Sequence, residues 1–89
     1  MNLLKTIPFV FAGESYEIKI FRAGNLINIL VFKNHYPANG FRHQLRIPKS
    51  ISIKNILENG IMDEYIDICK EDITEKRWER LVKTSKNNI

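Results

Sequence analysis

The stretch Ile7-Pro8-Phe9-Val10-Phe11-Ala12-Gly13-Glu14-Ser15-Tyr16-Glu17-Ile18-Lys19-Ile20 decides the fold class. Before Gly13 the odd positions are large and apolar. After it the even positions are, with Glu17 and Lys19 between them. A period of two marks half-buried strands, because successive strand side chains point to opposite faces. A two-residue loop with Gly13-Glu14 at its centre meets the type II′ demand for glycine first. It pairs Phe11 with Tyr16, Phe9 with Ile18 and Ile7 with Ile20, so that every pair is apolar on one face.

The next turn repeats the logic. Gly24-Asn25 at its centre sets Ile20 opposite Ile29 and Ile18 opposite Val31, which continues the apolar face. The third strand is apolar on both faces, since Leu30 and Phe32 point away from Ile29 and Val31, and this suits a central strand. Pro8 suits an edge, because proline has no N–H for a ladder. A fourth strand, Phe41-Arg42-His43-Gln44-Leu45-Arg46-Ile47, is ended by Pro48. A tight Asn39-Gly40 hairpin before it would bury Arg42 and Arg46 unpaired, at a cost of several kcal/mol each. A longer, bulged loop over 34–40 that keeps both arginines outside is the better reading.

From Ser50 the period changes. Ile53, Ile56 and Leu57 have helical spacing, with Gly60 as the C-terminal stop. Met62, Tyr65, Ile66 and Cys69 form a second stripe. Asp72-Ile73-Thr74-Glu75 fits the start of a third helix, with Asp72 as its cap and Trp78, Leu81 and Val82 as its buried stripe. The expectation is one α+β domain over 1–89: a four-stranded antiparallel meander (7–12, 16–22, 26–33, 41–47), then helices (52–59, 62–71, 73–84) packed on one face. That face carries Ile7, Phe9, Phe11, Ile18, Ile20, Ile29 and Val31. The element order resembles that of the single-strand-binding Whirly proteins, although no motif of theirs maps onto residues here.

Eighty-nine residues allow one core. Fourteen basic and ten acidic residues give a net charge of +4. That balance fits either general solubilising charge or a polyanion partner. The single cysteine, Cys69, permits no internal disulfide and no cysteine-based zinc site, and a buried inert thiol in a cytoplasmic protein is expected. No apolar run approaches the roughly 20 residues of a membrane helix. The apolar stretch from Ile7 to Ala12 contains Pro8 and is short for a signal peptide.

No nucleotide-binding or hydrolase motif is present. His35 and His43 could meet across a loop, but without nearby carboxylates they make no metal site. The acids Asp63, Asp67 and Glu71 read as a solvated helix face. Trp78 lies between Arg77 and Glu79 with Arg80 beyond, and a core anchor suits it better than base stacking. No catalytic, metal or cofactor residues are therefore expected, and no enzyme. The outer sheet face is more apolar than a solvated face should be. It is expected to carry Val10, Glu17 and Asn28 together with Lys19, Phe21, Leu30, Phe32, Arg42, Gln44 and Arg46. These last seven are the candidate contact residues. The expected partner is a protein or a second copy, with single-stranded nucleic acid as the alternative and no membrane. A helix folding over this face would remove the surface altogether.

Overall fold

The computed structural model describes residues 2–58 and 60–87. Strands β1 (Asn2–Phe11), β2 (Glu14–Ala23) and β3 (Leu26–Lys33) form an antiparallel meander. The fourth place in the sheet is shared. Both β4 (Tyr36–Pro37) and β5 (His43–Arg46) pair with the edge of β3 that β2 leaves free. Helices α1 (Ile53–Glu58), α2 (Asp63–Thr74) and α3 (Arg77–Asn87) follow. The chain is an α+β meander with its helices C-terminal.

The core lies between one sheet face and the first two helices. Ile18, Ile20, Ile27 and Ile29 are fully buried, and Val31 and Ile47 nearly so, against Ile56 of α1, Met62, and Cys69 of α2. Each fully buried isoleucine contributes roughly 1.5–3 kcal/mol by leaving water. Ile7 and Phe9 pack at the rim of this cluster. The sequence places Phe11 beneath the helices, yet it stands opposite Glu14 at the turn, only partly buried and outside the core cluster.

The first turn is centred on Ala12-Gly13 rather than Gly13-Glu14. Both residues take positive φ, 53° and 78°, which is the type I′ pattern. The register therefore moves by two residues, to Ile7↔Ile18 and Phe9↔Tyr16. A two-residue shift keeps every side chain on its face, so the apolar face survives the change of partners. The type I′ twist matches the strands, and this outweighs the roughly 1–2 kcal/mol cost of left-handed alanine. β1 also begins earlier than residue 7, with a bulge between Leu3 and Lys5. At Gly24-Asn25 the expected pairs Ile20↔Ile29 and Ile18↔Val31 are present, with Gly24 at φ 62°.

Pro8 lies on the strand that pairs only with β2 in the sheet order. A two-residue hairpin exchanges both hydrogen bonds at its closing pair, here Phe11↔Glu14. Alternation back along β1 then turns the Pro8 nitrogen toward the free edge, where no ladder donor is missed.

The expected fourth strand over 41–47 is shortened to 43–46, and a short strand at 36–37, not expected from the sequence, precedes it. The chain turns at Asn34-His35, both at positive φ (52° and 71°), and pairs Lys33↔Tyr36 and Phe32↔Pro37. It rejoins β3 at Ile29↔His43. Residues 38–42 form an excursion between these two pairings, anchored at its start where Ala38 N–H donates to Val31 O at 2.8 Å, and Arg42 and Arg46 are exposed as the longer loop required.

The helix boundaries differ most near Asp72. It does not cap a third helix, because it lies inside α2 and is 4% exposed. Its carboxylate is already taken by His43 and Arg77. The break falls at Glu75-Lys76, where Lys76 takes φ 51°. Leu81, expected in the core, is 50% exposed. Trp78 is half-buried against the 38–42 excursion instead, meeting Phe41 edge-on at 5.2 Å.

Candidate contact face

The outer sheet face is built by alternation. With Ile18, Ile20, Ile29 and Val31 fixed inward, Glu17, Lys19 and Phe21 of β2 and Asn28, Leu30 and Phe32 of β3 must point outward. The described helices supply their buried residues to the opposite face, so no helix folds over this one. Phe21, Leu30 and Phe32 are half-buried. Phe21 and Phe32 lean together along the sheet, ring centroids 6.2 Å apart and edge to face. Lys19 lays its Nζ 5.0 Å from the Phe32 centroid. Its stem extends the apolar surface while its charge rests on the ring.

The β5 side is polar. Gln44 Nε2–H donates to Asn28 Oδ1 at 2.7 Å, which explains how Asn28 can be 2% exposed at the middle of the sheet. Arg46, opposite Leu26, ends this row. Of the seven candidate residues, six stand on the strands of one face. Arg42 lies on the excursion beside β5, outside the ladder. On the β1 side the face gains Leu3, opposite Phe21 and 52% exposed, and Val10, 71% exposed. Leu3 escapes sequence reading because the bulge at Leu4 breaks the alternation that would have assigned it.

A second cluster joins sheet to helices. His43 Nε2–H donates to Asp72 Oδ2 at 2.8 Å. Arg77 reaches Asp72 Oδ1 at 3.3 Å, Glu71 at 2.9 Å and Glu75 at 2.8 Å. Glu71 first, then Asp72 and Glu75, hold the guanidinium further toward its charged form, against the desolvation that opposes them. Phe41 stacks on His43 with ring centroids 6.0 Å apart and also meets Trp78 edge-on. Sequence reading does not find the acid that His43 meets, because 29 residues separate the two.

The remaining candidates separate. His35 sits in the Asn34-His35 turn, while His43 pairs with Ile29, four β3 residues from Lys33 and so about 13 Å along the strand. The two histidines do not converge, and no metal-ligating cluster occurs among the described residues. Burial, with a smaller push from Asp72, raises the Cys69 thiol to about 12. It is protonated at neutral pH and a poor nucleophile. Asp63, Asp67 and Glu71 are exposed on α2. No described helix is long and apolar enough to cross a membrane. Comparison with protein-family models, curated proteins and solved structures gave no match to this chain.

Proposed function

We propose that the chain is a non-enzymatic binding domain whose outer sheet face packs on the same face of a second copy. The observation that carries this reading is the outward row of β2. Glu17 and Lys19 stand two positions apart on it, half-buried, beside the apolar surface of Phe21, Leu30 and Phe32. Neither has an ion-pair partner among the described residues. A two-fold axis lying in the interface, parallel to the sheet and crossing β2 between them, sets Glu17 of one copy against Lys19 of the other, twice over. The face is therefore self-complementary in charge as well as apolar.

Its size also fits. The strands hold ten, ten, eight and, in the shared fourth place, two and four residues, which at about 3.3 Å by 4.8 Å each give roughly 540 Å² per copy, near the lower bound for a stable interface. Single-stranded nucleic acid would need more positive charge than this face offers, since Lys19 and Arg46 are set against Glu17. Catalysis finds no support either. Among the described residues, no serine, threonine or cysteine side chain hydrogen-bonds to His43 or Asp72.

Sedimentation equilibrium on Glu17→Lys, Lys19→Glu and the double exchange tests the pairing. The wild type should be a dimer, each single variant should dissociate more readily, and the double exchange should restore association. A wild type that stays monomeric up to high concentration overturns the proposal, as does a folded double exchange no tighter than the singles. Salt-dependent oligonucleotide binding to a monomer would assign the face to nucleic acid instead.

A further inference from the structure

At the end of the sheet marked by the Gly24-Asn25 turn, a cleft of about 480 Å³ opens between that turn and the segment leading into α1. Its polar wall is Arg22, Asn25, Lys49 and Ser52; Ile47 and Ile53 belong to its apolar wall. Backbone bonding fixes the frame, since Ile47 N–H donates to Asn25 O at 2.7 Å. Arg22 is oriented by its own Nε–H, which donates to Gly24 O at 2.9 Å. That bond uses one face of the guanidinium and leaves the terminal Nη groups for a ligand.

The charge of this cleft is one-sided. No carboxylate lines it. Among the described residues neither Arg22 nor Lys49 has an ion-pair partner. The asymmetry reaches further than the cleft. Residues 18–57, from which its whole lining is drawn, hold seven lysines and arginines and no aspartate or glutamate. The acids lie at the opposite hairpin end, at Glu14 and Glu17, and from Glu58 onward. Ser52 Oγ accepts the Asn55 N–H at 3.2 Å at the start of α1, and its own O–H can still donate. The charges of Arg22 and Lys49 call for a ligand of matching charge.

We infer that this cleft binds the phosphate of a small organic phosphomonoester. A dianion with three acceptor oxygens matches one fork of Arg22 and the point charge of Lys49, whereas a carboxylate would be satisfied by the arginine alone. Asn25 and Ser52 offer further donors. The isoleucine wall takes the apolar body that carries the phosphate, and the volume suits a ligand of small-molecule size. The site lies at the turn end of the sheet and is independent of the dimer face proposed above.

Titration of the isotopically labelled full chain at constant ionic strength tests it, with phenyl phosphate and inorganic phosphate as probes. Phenyl phosphate should give saturable shifts centred on Asn25, Lys49 and Ser52, and should bind about tenfold more tightly than inorganic phosphate. Arg22→Gln and Lys49→Gln should each weaken it about tenfold, the worth of one charge-assisted hydrogen bond. Arg42→Gln should leave it unchanged. Should Arg22→Gln lower the melting temperature, Lys49→Gln alone decides. Shifts that fail to saturate or spread over all exposed lysines overturn the proposal. So does wild-type affinity in the double variant, or equal affinity for the two phosphates.

Discussion

Asp72 of α2 accepts the Nε2–H of His43 from β5 at 2.8 Å, a bond spanning 29 residues that ties the helical layer to the edge of the sheet. Asp72 is 4% exposed and also receives Arg77. Replacing it with alanine strips both partners of a buried acceptor. Asp72→Ala should therefore cost about 3 kcal/mol in urea denaturation, and Asp72→Asn, which keeps an acceptor oxygen, should cost less. A loss below about 0.5 kcal/mol, the level of an ordinary surface substitution, would show that the bond does not hold the layers together.

Ala12 takes φ 53° at the first position of a type I′ turn whose second residue is already glycine. Asparagine tolerates the left-handed region far better, and Asn-Gly is the favoured pair for this turn. Ala12→Asn should stabilise the protein by about 0.5–1 kcal/mol, raising the melting temperature by roughly 2–8 °C. An unchanged or lowered midpoint would argue that the turn is centred elsewhere.

Trp78 lies so close over Gly40 that a Cβ there would collide with the indole ring. Gly40→Ala should displace α3 or the 38–42 excursion. Trp78→Ala should cost about 2 kcal/mol, below the 3–5 typical of a fully buried tryptophan, because the ring is only partly buried and lies outside the main core. In hydrogen exchange both variants should lose protection in α3 while β2 and β3 keep theirs. Global unfolding on Trp78→Ala would place the indole within the principal core.

Phe32 lies on the outer face near the end of β3, the strand paired on both sides. Phe32→Glu places a carboxylate where a second copy would have to desolvate it. The expected result is a folded monomer by sedimentation, with a melting curve that stays cooperative. A variant whose mass and melting temperature both match the wild type would remove this face as a protein contact.

Cys69 contributes a pH dependence of known sign. Its folded value, about 12, lies above the ordinary thiol value of 9.0. Above pH 9 the unfolded chain loses this proton while the folded one keeps it. The contribution is thus fully present below pH 9 and is lost as pH rises toward 12. Native protein at pH 8 should react with a thiol reagent only at the rate of opening, and denaturant should release the reaction. Fast labelling of the native state would mean the thiol is accessible.

The inner face was legible because period-two alternation survives any even error in register. Ile18, Ile20, Ile29 and Val31 point to the core whether the first turn lies at Ala12 or at Gly13. What was not legible depended on contacts distant in sequence. The Asn34-His35 turn competes with Asn39-Gly40, the stronger local signal, and wins because it lets β5 return with Gln44 beside Asn28 and His43 above Asp72. Asp72 itself looks like a helix cap until His43 and Arg77 claim its carboxylate. On the contact face, Phe21, Leu30 and Phe32 follow from alternation, while Leu3 is hidden behind a bulge that no short-range pattern announces.

Pro8 has a consequence for growth. A sheet with a regular, donor-bearing margin can take on another strand, then another, and such recruitment has no natural end. Here one margin lacks an N–H at its middle and buckles at Leu3–Lys5. The other is cut by Pro37 and by the departure of residues 38–42. Were copies to pair as proposed, these interrupted margins would favour a broadside contact over edge-to-edge growth. A broadside pair related by a two-fold axis uses the bare face of each member and leaves helices outermost on both sides, so that such an assembly is closed at two.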